Sequence, residues 1–227
     1  MSSGDGEWPA IVGSSLAQEA YALIRERILD GRLAGGAALK DSVLAAQMGV
    51  SRAPVRQALE RLVQSGLASK LPNKPYRVVC IDAEALSELR LMRFADESAA
   101  IIQLVASGAV LEPLRERIRE MAEVVAADGG WAPVVDADLA FHRELVRLTG
   151  LPRLTARFDG LCDQIRTWLN SVDVPLMVIE TQVQRHTELL DALGRAQSTQ
   201  DTQPAIAFWR AHILGDHRWV LADRNRP

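Results

Sequence analysis

The stretch "GVSRAPVRQALERLVQSG", Gly49 to Gly66, opens on a turn and runs into an amphipathic helix. Val55, Leu59, Leu62 and Val63 recur at helical spacing, which predicts one face turned to a core. Pro54 falls in the first turn, where its missing N–H is no loss and its fixed φ helps start the helix. Just upstream, "DSVLAAQMG" predicts a short helix capped by Asp41 or Ser42 and stopped by Gly49. Two short helices joined by a Gly-containing turn make a helix-turn-helix pattern. In that arrangement the first residues of the second helix approach base edges in the major groove. Ser51, Arg52, Ala53 and Arg56 occupy that end. Arginine can grip guanine with two hydrogen bonds, and both Ser and Arg can hold phosphates. The plainer alternative is a solvated helix that happens to carry two arginines.

Working outward, "SSLAQEAYALIRERILDG" predicts a first helix, capped by Ser14 or Ser15 and stopped by Gly31. Its expected stripe is Leu16, Ala20, Leu23, Ile24 and Ile28. A Gly-rich connection, "RLAGGAALKDS", leads to the helix pair. Beyond Gly66, two β-prone pieces around Leu67–Leu71 and Tyr76–Ile81 flank the turn-rich "PNKP" and predict a small wing. Charge supports the division. From Ser14 to Ile81 there are 10 Lys/Arg against 5 Asp/Glu, and from Asp82 onward 16 against 22. A basic part joined to an acidic one suggests that the first part alone meets a polyanion.

After Asp82 strand signals nearly vanish. Helical patterns run over roughly 82–107, 112–128, 133–149, 151–171, 175–196 and 203–222, with breaks rich in Gly, Pro, Ser or Asp. The expected fold class is therefore mainly α: a winged helix-turn-helix over 14–81, then an all-α bundle of six to seven helices over 82–227. Residues 1–13 read as a disordered lead-in. No apolar run is long enough to span a membrane, and the N-terminus lacks the pattern of a signal peptide. Cys80 and Cys162 are far apart and support neither a disulfide framework nor a thiolate zinc site. A cytoplasmic protein is the expectation.

The segment "ALKDSVLAAQMGVSRAPVRQALERLVQSGL" resembles the DNA-binding signature of the GntR family of bacterial transcription regulators, with "GVSRAPVRQAL" its most specific part. The resemblance covers about residues 14–81. It implies operator contacts from Arg52 and Arg56, helped by Ser51 and by the wing tip, which corresponds to Pro72–Lys74. Lys74 thus joins the expected DNA-binding set. Two departures stand out. Ser42 occupies a position where some relatives carry a DNA-contacting Arg, and Asn73 lies where a Gly is usual. Asn tolerates φ > 0 better than most residues, so the turn can survive.

All four histidines follow residue 141. Asp138 and His142 are four apart and share one helix face, a plausible two-point metal grip. His186 shares its face with Val183, Leu190 and Leu193. His212 shares its face with Ala205, Phe208 and Trp209. Imidazoles turned inward from three helices can meet, although each alone reads first as an ordinary core or surface histidine satisfied by a neighbour. The later helices resemble the FCD ligand-binding domain of the FadR-type GntR subfamily. One branch of that domain holds a metal with one Asp and three His, and Asp138, His142, His186 and His212 correspond to those positions. The resemblance places about four extra residues in the polar loop "GRAQSTQ" before His212. His217 lies about 140° around the helix from His212, so the two are not expected to reach one ion. Apolar periodicity does not separate them, and the resemblance selects His212. Imidazole and carboxylate suit Zn²⁺ first, with Ni²⁺ or Mn²⁺ as alternatives. Arg93 corresponds to a pocket position that can pair with a ligand carboxylate. Its other reading is a surface arginine paired with Glu97 at i+4.

Together these readings predict a one-component regulator that binds a palindromic operator as a homodimer. Operator binding would respond to a small organic acid held at the metal site. A regulator with the metal itself as signal is the first alternative. A metal-dependent hydrolase is the second, but no HExxH or comparable motif supplies its base, so no enzyme activity is expected. A long acyl-CoA effector suits buried metal ligands poorly.

Overall fold

The computed structural model describes residues 16–127, 130–169 and 181–215. The expected lead-in over 1–13, the Ser14 or Ser15 cap and His217 lie outside these residues. So do the ends of the helices expected over 112–128, 151–171 and 203–222 and the start of the one expected over 175–196.

Three helices and a small sheet share the first core. They are α1 (Leu16–Leu29), α2 (Asp41–Met48) and α3 (Arg52–Gln64). Helix α3 buries Val55, Ala58, Leu59 and Leu62, while Val63 is half-buried at the margin. Helix α1 buries Ala17, Ala20, Ile24, Ile28 and Leu29. Leu16 and Leu23, expected on that stripe, are instead 52% and 50% exposed. Both lie about 80–100° from Ile24 on one side of the helix, beyond the arc that α3 covers. Helix α2 starts one residue earlier than a cap at Asp41 requires. Lys40 is the N-cap and Asp41 the first helical residue. Gly49, at φ 67°, ends it in the left-handed region, where a Cβ is disfavoured.

The wing is a three-stranded antiparallel sheet of order β1-β3-β2, formed by β1 (Ala38–Leu39), β2 (Ala68–Ser69) and β3 (Tyr76–Val78). Ala38 pairs with Arg77 and Leu39 with Tyr76, and Ala68 pairs with Val78. The sequence shows the β2–β3 hairpin but not β1. Two residues inside a Gly-rich run carry no alternation, so only pairing with β3 creates that strand. The turn departs from a usual Gly at Asn73, which takes φ 57° while Lys74 N–H donates to Leu71 O at 3.1 Å.

Six helices follow among the described residues: α4 (Ala83–Ser107), α5 (Glu112–Ala126), α6 (Trp131–Arg147), α7 (Pro152–Leu169), α8 (Gln182–Thr199) and α9 (Gln203–Leu214). Asp82 caps α4, its side chain accepting the Ala85 N–H at 2.9 Å. One continuous core, including Leu104, Leu139, Phe141, Leu145, Leu189, Leu193 and Trp209, runs through the bundle. Helix α8 continues through "GRAQST", a segment expected as loop because it is polar. Gln197 explains the extension: its Nε2 donates to Leu104 O at 3.1 Å and Ala109 O at 2.9 Å. Leu104 O lies in the last turn of α4, where it also accepts the Ala109 N–H, and Ala109 O lies just beyond it, so a polar side chain of α8 braces a neighbouring helix terminus. On α9, Ala205, Trp209 and Ile213 are buried and Phe208 is exposed, contrary to its expected place on the His212 face. No helix of the described residues is long and apolar enough to cross a membrane.

Candidate metal centre and nucleic-acid interface

Four residues from three helices meet inside the bundle. Asp138 and His142 come from α6, His186 from α8 and His212 from α9. One ligand atom from each lies within 4.8 Å of all the others. His142 Nε2 stands 3.2 Å from His186 Nε2 and 3.3 Å from His212 Nε2. Asp138 Oδ1 lies 3.1 Å from His186 Nε2 and 3.9 Å from His142 Nε2. Phe141 meets the rings of His142 and His186 edge-on and closes the site from the core side. His142 and His186 are fully buried.

The outer partners of the rings fix which nitrogen faces inward. His142 Nδ1 lies 2.6 Å from Glu97 Oε2, and His186 Nδ1 lies 2.8 Å from the carbonyl of Gln182. Neither oxygen has a proton to give, so both Nδ1 atoms are N–H donors. In the neutral rings the Nε2 lone pairs then converge on one point with no hydrogen between them. Burial pushes His142 below the ordinary histidine range, and the nearby Arg93 guanidinium pushes the same way. Burial, then His186 and His142, hold His212 well below that range. Burial opposes ionisation of Asp138, but Arg93, His186 and His142 outweigh it and hold the carboxyl well below its usual range. Converging lone pairs and one ionised carboxylate are a donor set for a cation. Metal–ligand bonds of about 2.0–2.2 Å separate adjacent ligand atoms by about 2.8–3.1 Å in octahedral and about 3.3–3.6 Å in tetrahedral geometry, a range that holds the shorter distances here. The four residues therefore fit a divalent ion such as Zn²⁺, with Ni²⁺ or Mn²⁺ compatible with the same donors.

Arg93 makes the i+4 pair with Glu97 that its plainer reading expects, in a different setting. It pairs with Glu97, its Nε donating to Oε1 at 2.8 Å, but the pair is buried rather than on the surface. Its Nη2 reaches Asp138 Oδ2 at 3.4 Å. Glu97 was missed as a member of the site. Its carboxylate accepts from Arg93, from His142 Nδ1 and from Trp209 Nε1 at 2.7 Å. Burial opposes ionisation of Glu97, yet His142 and Arg93 outweigh it and lower its pKa. A signal was present: Arg93 and Glu97 continue the stripe of Leu89, Ala100 and Leu104, where surface residues do not belong.

A cavity of about 540 Å³ opens beside this cluster. Arg93, Asp138 and His212 line it on the side of the cluster, Arg90 and Arg185 add further positive charge, and Trp131, Trp168 and Ile165 contribute apolar wall. A volume of this size suits a small organic ligand.

At the other end of the molecule, Ser51, Arg52, Ala53 and Arg56 are all exposed at the start of α3, and Lys74 is exposed at the wing tip. Ser51 is the N-cap but makes no side-chain capping bond, so its hydroxyl is not committed to the helix. The sequence did not reveal what holds the two arginines. Arg52 Nη2 lies 3.0 Å from Asp41 Oδ2, and Arg56 Nη2 lies 3.1 Å from the same oxygen. The Arg52 bond, followed by the Arg56 bond, keeps the Asp41 carboxyl below its usual range against the opposing effect of burial.

Comparison with known proteins matches both halves. Residues 16–78 match the profile of "Bacterial regulatory proteins, gntR family", and residues 88–214 match the FCD domain. The chain is 31% identical over 206 residues to an HTH-type transcriptional regulator in an unstable DNA locus of Streptomyces ambofaciens. That match spans 88% of this chain and 83% of the relative. A protein of Paenarthrobacter nicotinovorans named "Probable D-xylose utilization operon transcriptional repressor" is 31% identical over 185 residues, 79% of each chain. Among solved structures, a GntR-type regulator from Rhodococcus sp. RHA1 superposes with a TM-score of 0.77. It is 23% identical and covers 93% of this chain and 100% of its own. Escherichia coli McbR/YncC superposes at 0.74, with 20% identity over 94% of this chain and 100% of its own.

Proposed function

The chain belongs to the gntR family of bacterial regulatory proteins, with an FCD domain behind its helix-turn-helix, and is a DNA-binding transcriptional regulator. On that premise we propose that Asp138, His142, His186 and His212 hold a divalent metal ion, Zn²⁺ by preference. In the adjoining cavity a small organic acid binds, and Arg93 attracts its carboxylate. The observation that carries this reading is the convergence of three imidazole Nε2 atoms and one carboxylate beside that cavity, with Asp138 and His212 in its wall. The ion supplies a fixed positive charge. The chain's own residues orient the ligand set, exclude water on the Phe141 side and place Arg93 beside the opening.

Residues 14–81 form the DNA-reading part and 82–227 the effector-binding and dimerisation part. Ser51, Arg52, Ala53 and Arg56 enter the major groove of double-stranded DNA, and Lys74 contacts the backbone from the wing. One recognition helix reads too few base pairs for operator specificity, which supports a homodimer on a palindromic operator. The protein works in the cytoplasm, where its DNA is. A ligand changes operator affinity only by preferring one dimer geometry over another. A hydrolase is not favoured, because the buried carboxylate nearest the histidines, Glu97, is already engaged by three donors and is not free to act as a base.

The experiment is a thermal-shift screen of zinc-loaded and chelator-treated protein against sugar acids, dicarboxylates, hydroxy acids and amino acids. A ligand that binds the folded state raises the transition by mass action. The reading requires at least one acid to do so in the zinc-loaded protein and not after chelation. Equal shifts in both preparations would contradict it.

A further inference from the structure

Between the DNA-reading part and the bundle lies a buried carboxylate that neither the operator contacts nor the metal centre uses. Asp163, on α7, is 4% exposed. Arg25, on α1, donates to it through two nitrogens, Nε to Oδ2 at 2.6 Å and Nη2 to Oδ1 at 2.5 Å. Arg143, on α6, donates through Nη2 to the same Oδ1 at 2.9 Å. One oxygen thus receives a guanidinium from each side of the molecule.

The two arginines connect to different functions. Arg143 follows His142 directly in sequence, so a shift of α6 that moves this ligand also moves Arg143. Arg25 precedes the DNA-reading helix through packing. Ile28 and Ile24 of α1 share a core with Val55 and Leu59, and Arg61 of α3 lies over the Tyr21 ring at 4.4 Å. A second tie runs beside the first. Gln164 Nε2 donates to Ser65 O, at the end of α3, at 3.2 Å. Gly66 passes so close that a Cβ there would stand 2.7 Å from the Gln164 amide.

A buried carboxylate stripped of a partner is strongly unfavourable, so Asp163 must keep at least one guanidinium. Because Arg25 and Arg143 share Oδ1, withdrawal of one strengthens the hold of the other. Bidentate geometry makes the Arg25 contact directional, since both nitrogens must be presented in one plane. Small displacements of α6 are in this way converted into a choice of orientation for α1.

We propose that Asp163 is a positioning residue that transmits the state of the bundle's metal centre to the DNA-reading part, by sharing Oδ1 between Arg143 and Arg25. This rests on the metal reading given above. It assigns Asp163 no contact with DNA, metal or effector.

The test uses full-length protein, Zn²⁺ as the metal probe and a duplex selected from a random pool by the wild-type protein. Duplex affinity is measured for zinc-loaded and chelator-stripped samples of wild type, Asp163→Asn, Arg25→Ala and the double variant, with zinc content determined on each sample. The wild-type affinities should differ by at least about fivefold, and both variants should bring that ratio to within about twofold of unity while retaining zinc. The double variant should be no more uncoupled than either single one, because both remove the same link. Arg25→Ala lies at a partly exposed position and remains informative if Asp163→Asn folds poorly. A wild-type ratio in Arg25→Ala with zinc bound would overturn the proposal, as would a ratio of unity in zinc-loaded wild type. Absence of zinc from the wild-type protein would instead remove the metal reading itself, and the inference with it.

Discussion

Glu97 accepts the Nδ1 proton of His142 at 2.6 Å, and both side chains are completely buried. This relationship turns the Nε2 lone pair of His142 toward Asp138, His186 and His212. A carboxylate behind a ligating imidazole fixes the tautomer and raises ligand basicity. Glu97→Gln keeps the shape and removes the charge. Metal affinity should fall about 10- to 100-fold, read by competition with a chromogenic chelator. Affinity equal to wild type would show that Glu97 only fills space.

At the DNA end, Arg52→Ala and Arg56→Ala should each weaken binding to a selected duplex by about 1–3 kcal/mol and relax preference at one base pair. Asp41 acts differently. It neutralises part of the field of these two arginines and restricts their directions. Asp41→Asn should tighten binding to random-sequence duplex and narrow the gap between selected and random DNA. Fluorescence anisotropy at fixed salt measures both quantities.

The metal-free protein should be acid-labile, and the sign follows from the direction of each shift. His142 and His212 have pKa values below the ordinary 6.5 when folded. As pH falls below that value the unfolded chain takes up protons that the folded chain refuses, so stability declines. Glu97 and Asp138 are also lowered, from 4.5 and 3.8. Their contribution is present above those values and is lost as pH falls through them toward the lower folded ones. Chelator-treated protein should therefore lose denaturant resistance from about pH 6.5 downward, with a second decline below about pH 4.5. A flat profile between pH 7 and 5 would contradict the burial of neutral imidazoles.

Asn73 holds the wing turn at φ 57°. Asn73→Gly should be tolerated or slightly stabilising, whereas Asn73→Val should cost about 1–2 kcal/mol. Urea unfolding of the two variants measures this directly.

Much of this was legible in the sequence because periodicity and turn residues report the local backbone. The "GVSRAPVRQAL" run, the hairpin around "PNKP" and the inward face of His186 all follow from spacing, whereas resemblance selected His212 over His217. What was not legible depends on partners distant in sequence. Strand β1 exists only because β3 lies beside it, and the polar end of α8 stays helical because Gln197 satisfies carbonyls 88 and 93 residues away. Arg93 and Glu97 continue the buried stripe of α4, a signal masked by their i,i+4 spacing, which is also that of a surface pair. Asp41 was expected as a helix cap and nothing in the sequence singled out Asp163, because the arginines that engage both come from other helices.

The central claim is that one aspartate and three histidines form a metal centre in the bundle. Its most direct test is the metal content of wild-type and His142→Ala protein after equilibration with Zn²⁺ and removal of excess ion. The account predicts about one tightly held ion per wild-type chain, and a large loss of it in the variant. Metal content near zero in the wild type, or an equal content in both proteins, would contradict it.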